Sequence, residues 1–327
     1  MTVTASAGPR ETTVRAAGVE LFVRERGDGH PLLLVNGLGA NLEMWGPCEE
    51  RLSAASRTIV FDAPGTGRSS TPAWPLSIPA VAKIVLGALD QLGYERVDVL
   101  GFSLGGMMAQ ELAHRAPDRI RRLALCSTAC GWGSVPGTPE ALALMTLPQR
   151  YYSRSFSEQT NWLLSPADDA LLRRLTALTE ARLRHPPSFY GYLSQLWAGS
   201  LWSSLRWLSS VQAPTLLVHG AEDRLVPPAN SVQLARLLPE SRLHLLPDEG
   251  HFIVFDPDSS TLSLLADFFT KRTLNESGAW SGGAVVDDDE TVEAAFAASV
   301  GTEPFRSMSD AYRRLVANGR RNGSQRR

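Results

Sequence analysis

The stretch Val99-Leu100-Gly101-Phe102-Ser103-Leu104-Gly105-Gly106 decides how the rest of the chain is read. The apolar run Val97 to Leu100 predicts a short buried strand. Gly105-Gly106-Met107-Met108-Ala109-Gln110-Glu111-Leu112-Ala113 predicts the start of a helix. Between them the chain has almost no room to reverse, which small residues at 101 and 105 permit. A serine on such a turn is held strained with its hydroxyl exposed. The amide that follows it points toward an anion at the helix N-terminus. Three fixed residues recur by chance; the strand before and the helix after are what make Ser103 a candidate nucleophile.

Working outward, the same alternation repeats. Thr12 to Ala16 and Val19 to Arg24 predict an antiparallel pair turning at Ala17-Gly18, behind a loose arm of about ten residues. Pro31 to Val35 and Arg57 to Phe61 are continuous apolar runs, as strands covered on both faces require. The first runs into the Gly-rich loop Asn36-Gly37-Leu38-Gly39-Ala40 and the second into Asp62-Ala63-Pro64-Gly65-Thr66-Gly67. A helical pattern covers Ile78 to Leu92, and Ile120 to Ser127, Pro214 to Gly220 and Leu243 to Leu246 read as further strands. A last helix spans about Ser260 to Lys271. Strands alternating with helices predict an α/β class: a mostly parallel central sheet with flanking helices.

The alternation breaks between Trp132 and Trp207, where prolines interrupt helical patterns and five of the eight tryptophans gather. An insert there would cover the carboxyl ends of the strands, where open α/β sheets bind ligands. Residues 132–208 are therefore expected to form a helical cap with an apolar, aromatic inner face, part of a domain spanning residues 1–275. Residues 276–327 are rich in Gly and Ser at the start, carry the acidic run Asp287 to Glu290 and end on Arg326-Arg327. They are expected to be a linker and a disordered or loosely docked tail, with short helical patterns near Val292 to Ser299 and Ser307 to Ala317.

Composition narrows the function classes. With 327 residues, 43% of them hydrophobic, the chain can bury one large core. A formal net charge of −2 argues against nucleic-acid binding. Cys48, Cys126 and Cys130 have no metal-ligand company, so neither a disulfide framework nor a metal site is expected. The N-terminus lacks the pattern of a signal peptide and no apolar run reaches membrane-spanning length, so a soluble, cytoplasmic protein is expected.

A serine hydroxyl is a poor nucleophile at neutral pH without a base to take its proton, and histidine is the usual base. With a serine elbow in such a sheet, the partners follow in the order nucleophile, acid, histidine. His30, His114, His185, His219 and His244 fall on loop, helix, cap and strand positions. His251, in Asp248-Glu249-Gly250-His251, lies between the last strand and the last helix and is the candidate base. In the loop after the Pro214 strand, Asp223 is preferred to Glu222 because a short side chain fixes an imidazole tautomer better. Backbone amides must meet the negative charge that develops on the carbonyl oxygen. Leu104, after the nucleophile, and Leu38, in the Gly-rich loop, are the candidate oxyanion donors, with Asn36 hydrogen-bonding that loop in place.

The motifs Asn36-Gly37-Leu38-Gly39-Ala40, Gly101-Phe102-Ser103-Leu104-Gly105 and Gly250-His251 resemble the α/β-hydrolase superfamily. Further stretches are similar to intracellular medium-chain poly(3-hydroxyalkanoate) depolymerases. These are Asn41-Leu42-Glu43, Ser69-Ser70-Thr71-Pro72, Val135-Pro136-Gly137, Arg150-Tyr151-Tyr152, Gln195-Leu196-Trp197-Ala198-Gly199 and Trp207-Leu208. Leu104 stands where that family usually has tryptophan. The resemblance implies an α/β-hydrolase fold and a serine hydrolase that cleaves carboxylic esters through an acyl-enzyme. Its substrate would be a medium-chain 3-hydroxyalkanoate polyester or oligoester, reached on a storage-granule surface without a cofactor. The alternatives are a general carboxylesterase or lactonase, a cofactor-free haloperoxidase-like enzyme, and, from another class, a non-catalytic protein that binds a hydrophobic ligand or a granule. A serine at 103 argues against the haloalkane dehalogenases and epoxide hydrolases of this fold, which need aspartate there.

Overall fold

The computed structural model describes residues 8–164 and 169–299. The expected arm before residue 8 and the helical pattern and basic end beyond 299 lie outside the described residues. Eight strands form one sheet: β1 Arg10–Ala16, β2 Val19–Arg26, β3 His30–Val35, β4 Ser56–Phe61, β5 Val97–Phe102, β6 Ile120–Cys126, β7 Thr215–Gly220 and β8 Ser241–Leu246, in the spatial order β1-β2-β4-β3-β5-β6-β7-β8. β1 and β2 run antiparallel; β3 to β8 are parallel to one another.

The helices in chain order are α1 Gly46–Ser53, α2 Ile78–Leu92, α3 Leu104–Arg115, α4 Pro139–Met145, α5 Arg154–Thr160, α6 Asp169–Arg184, α7 Phe189–Ser200, α8 Ala229–Leu237, α9 Thr261–Thr270, α10 Gly278–Ser281 and α11 Asp289–Ser299. Local signals set their limits. α2 starts after Ser77, whose hydroxyl accepts from the Ala80 amide, and stops at Gly93 with φ +80°.

The continuous apolar strands feed two cores at once. In β3, Leu33 and Val35 face the core under α2 and α3, while Leu32 and Leu34 face the core under α1 and α9. All four are at most 1% exposed, and each such side chain contributes about 1.5–3 kcal/mol of burial. β5, at the centre between β3 and β6, is buried along its whole length, so its carboxyl end is a rigid platform. No helix among the described residues is long and apolar enough to cross a membrane.

The cap leaves after β6 and returns before β7, contributing α4 to α7. Its two ends are joined by an antiparallel bridge, Gly131 to Ser203, with the Trp132 amide donating to the Trp202 carbonyl at 2.7 Å. Its aromatic rings divide: Tyr151 and Tyr192 are buried against the loop after β3, as expected of an inner face, and others are not. Trp132, Tyr152, Trp162, Phe189, Tyr190 and Trp197 are exposed, whereas Trp202 is buried with its indole N–H on Glu111 at 2.7 Å.

The linker expected from residue 276 is a correction. Ser277 Oγ and the Ala279 amide donate to Asp267 Oδ2 at 2.7 and 2.9 Å, which fixes α10 on the end of α9. Trp280 is 5% exposed, stacked on Phe268 at 5.7 Å, with the Arg242 guanidinium 4.9 Å from its ring centre. Ala284 then exchanges both backbone hydrogen bonds with Leu243 on β8, and Val292 of α11 is fully buried in the core beside α8. The Gly/Ser content suggested chain entropy; one tryptophan and the unpaired edge of β8 outweigh it.

Candidate active site

Ser103 stands between β5 and α3 with φ 54° and ψ −123°, a conformation that costs about 1–3 kcal/mol in an L-residue. Three hydrogen bonds offset it. The Ser103 amide donates to Cys126 O at 3.0 Å, and Ser103 O accepts from the Gly106 amide at 2.9 Å and from Thr128 Oγ1 at 2.6 Å. The crowding explains the flanking glycines. A Cβ on Gly101 would lie 2.6 Å from that of Ala109, and one on Gly105 would meet the backbone carbonyls of Val35 and Asn36.

Strain at 103 and the packed β5 aim Oγ out of the sheet, toward the loop after β8. His251 Nε2 lies 3.2 Å from Ser103 Oγ, and its Nδ1 lies 2.7 Å from Asp223 Oδ2. The imidazole is 3% exposed and rests on the Phe102 ring at 5.0 Å between centroids. Asp223 comes from the loop after β7, where its Oδ1 accepts from the Leu225 and Val226 amides at 3.0 and 2.9 Å. Glu222, the competing carboxylate, is exposed. The three residues expected from the sequence therefore meet at the carboxyl end of the sheet.

His219, at the end of its strand, has no role legible in the sequence. Here its ring is completely buried, with Nε2 2.7 Å from Val226 O and 3.2 Å from Asp223 Oδ2, and Nδ1 2.5 Å from Ser231 Oγ. Both ring nitrogens therefore have hydrogen-bond partners. Burial pushes the Asp223 carboxyl up, but the His251 charge and the hydrogen bonds from both histidines outweigh it. The net effect holds Asp223 below the usual carboxylate range.

Leu38 and Leu104, the expected oxyanion donors, both line the cavity in front of Ser103. Neither amide donates to another protein group among the described residues. The loop that carries Leu38 is held from within by Asn36, whose Nδ2 donates to Asn41 O and whose Oδ1 accepts from Gly37 N, both at 2.9 Å.

The cap holds this loop from the other side, through residues that the sequence offered only as family resemblance. Gln195 Oε1 accepts from Gly39 N at 2.9 Å while its Nε2 donates to Pro64 O at 3.2 Å. The Tyr151 hydroxyl donates to Leu38 O. Gly39, at φ +66°, packs so tightly that a Cβ would meet the Tyr192 ring at 2.7 Å. Asn41 Nδ2 donates to the carbonyls of Ala181, Arg182 and His185 at 2.9, 3.3 and 3.0 Å, closing the C-terminal end of α6.

The cavity measures about 280 Å³, near the small end of the range for small-molecule sites. Its walls include Leu38, Leu104, Met107, Val135, Leu142 and Leu225, and Trp132 stands at the rim. This arrangement presents an activated hydroxyl, a base held by a buried carboxylate and two free amides at one end of an apolar cleft. It is suited to acyl transfer from an ester with an aliphatic acyl group.

Comparison with known proteins agrees with this geometry. The chain is 37% identical over 242 residues to a poly(3-hydroxyalkanoate) depolymerase of Ectopseudomonas oleovorans, covering 74% of this chain and 85% of that enzyme. It is 30% identical over 271 residues to a 2-hydroxymuconate semialdehyde hydrolase of a Pseudomonas species, covering 78% and 92%. The fold is similar to that of the enol-lactonase from Burkholderia xenovorans, with a TM-score of 0.69 at 27% identity over 80% of this chain and all of that one. Residues 30–258 match the family profile described as the alpha/beta hydrolase fold, and the chain belongs to that family.

Proposed function

We propose that the protein is a serine hydrolase that cleaves medium-chain 3-hydroxyalkanoate polyesters or oligoesters in the cytoplasm. The observation that carries the reading is the alignment of Ser103, His251 and Asp223 at the end of an apolar cleft, joined to 37% identity with a polyester depolymerase. In this mechanism Ser103 Oγ attacks the ester carbonyl as His251 Nε2 takes its proton. The amides of Leu38 and Leu104 receive the oxyanion. Collapse expels the alcohol, which takes the proton from His251, and leaves an acyl-Ser103. Water, deprotonated by the same imidazole, then releases the acid. Asp223 stabilises the imidazolium without itself taking the proton.

An apolar cleft favours chains long enough to fill it. On p-nitrophenyl esters, kcat/KM should rise from acetyl to about C6–C10, each buried methylene contributing about 0.8 kcal/mol until the cleft is full. Emulsified medium-chain polyester, assayed beside these esters, should release hydroxy acids. A steady decline from acetyl onward, with an inert polymer, would replace this reading by a small-ester or lactone hydrolase, in keeping with the lactonase similarity.

A further inference from the structure

The side of α7 that faces away from the sheet carries an apolar row. Phe189, Leu193, Trp197 and the following Leu201 recur at every fourth position and are 61%, 39%, 58% and 68% exposed. Scattered apolar residues on a surface need no explanation, but a continuous row along one helix does. From Pro186 to Leu205 no side chain is charged, although charged residues make up 20% of the chain. Trp74, 80% exposed, stands in the loop against which α7 packs, where the Tyr190 hydroxyl donates to Ala73 O.

The adjoining row of the same helix, Leu196 and Ser200, lines the catalytic cavity, and exposed Trp132 stands at its rim. The exposed row and the cavity wall are therefore neighbouring sides of one helix, within its diameter of about 10–12 Å. A surface lying against the row is within one short chain segment of the cavity mouth. Anionic bilayers are held by several Lys and Arg around an apolar face; here only the single arginines Arg184 and Arg206 bound the stretch, and none lies within it. An uncharged surface of alkyl chains and esters suits it better, with Tyr and Trp rings offering apolar area and a polar edge.

We propose that the outer row of α7 is the face by which the enzyme docks on the surface of an aliphatic polyester particle, positioning a surface chain at the cavity mouth. This rests on the polyester reading above. The docking residues are separate from the residues that would perform the chemistry, so particle turnover and soluble-ester turnover can be changed independently.

The experiment uses the full chain, as wild type and as the triple variant Phe189→Ser, Leu193→Ser, Trp197→Ser. A control variant, Val285→Ser, changes an exposed apolar residue away from the cap. Cosedimentation with emulsified poly(3-hydroxyoctanoate) particles, kcat/KM on p-nitrophenyl octanoate and mass by light scattering are measured for each. The triple variant should bind particles at least tenfold less and release product from them correspondingly more slowly. Its soluble-ester kcat/KM should stay within twofold of wild type, which also shows that it is folded, and Val285→Ser should bind as wild type does. Undiminished particle binding by the triple variant overturns the proposal. So does wild-type binding to phosphatidylcholine vesicles as tight as to polyester, or a wild-type dimer that the triple variant converts to monomer. A wild type that turns over the soluble ester but leaves the polymer untouched overturns the polyester reading itself, an outcome distinct from the others.

Discussion

Gln195 on a cap helix accepts the Gly39 amide hydrogen at 2.9 Å, across 156 positions of sequence. The bond ties the cap to the loop that presents the Leu38 amide. Replacing Gln195 by Leu leaves a buried Gly39 N–H without its acceptor and frees Pro64 O. Steady-state kinetics on a soluble ester should show kcat lowered about tenfold, or ~1.4 kcal/mol of transition-state stabilisation, with a smaller change in KM. Tyr151→Phe, which removes the bond to Leu38 O, should act in the same direction. The double variant should cost less than the product of the two, since both hold one loop.

Ser103, His251 and Asp223 should behave as a unit. Ser103→Ala and His251→Ala should each lower kcat by about 10⁴-fold or more, and combining them should add little. A fluorophosphonate should label wild type at Ser103, as read by peptide mass, and leave Ser103→Ala unlabelled. Substantial esterase activity in Ser103→Ala would exclude the acyl-enzyme route.

Asp223 predicts a particular response to acid. Its folded carboxyl lies below the usual range, so the unfolded chain takes up the proton first as pH falls. The stability it contributes is complete above the ordinary carboxylate value of ~4 and disappears as pH drops through the lower folded value. Denaturant titrations of Asp223→Asn between pH 7 and 3 should therefore show a shallower acid loss than wild type. His219→Leu removes one of the bonds that depress the carboxyl, so the folded value rises toward the unfolded one and the acid loss should likewise be shallower than in wild type. Parallel limbs in all three proteins would mean that another group governs acid unfolding.

The segment after α9 should contribute to stability rather than to chemistry. Trp280→Ala empties a site against Phe268 and Arg242 and should cost about 3–5 kcal/mol, read as a lowered thermal midpoint. At a temperature where it remains folded, its kcat/KM on a soluble ester should match wild type. A chain ended after Thr273 should be insoluble or markedly less stable.

What could be read without coordinates follows from which interactions are local. β3 and β5 announce themselves because strands covered on both faces must be apolar throughout. Ser103, Asp223 and His251 could be located because each sits in a loop directly after a strand, and strand order fixes where those loops meet. His219 was hidden because a histidine inside an apolar strand has the same sequence signature whether or not its ring turns to the carboxylate four residues on. Gln195, Tyr151 and Asn41 were hidden for a related reason: their partners are backbone groups of distant loops, which have no residue type of their own. The exposed cap aromatics could not be told from the buried Tyr151 and Tyr192, because exposed and buried rows on one helix share the same 3.6-residue period. Trp280 was lost in a Gly/Ser context that usually signals a linker.

The bridge between Gly131 and Ser203 makes the cap a hairpin closed at its base, and so a unit that a graft could exchange at those two points without opening the sheet. The same unit supplies Gln195 and Tyr151 to the loop bearing Leu38. A transplanted cap would therefore bring a new acyl preference and a new catalytic rate together, and selecting for one would alter the other.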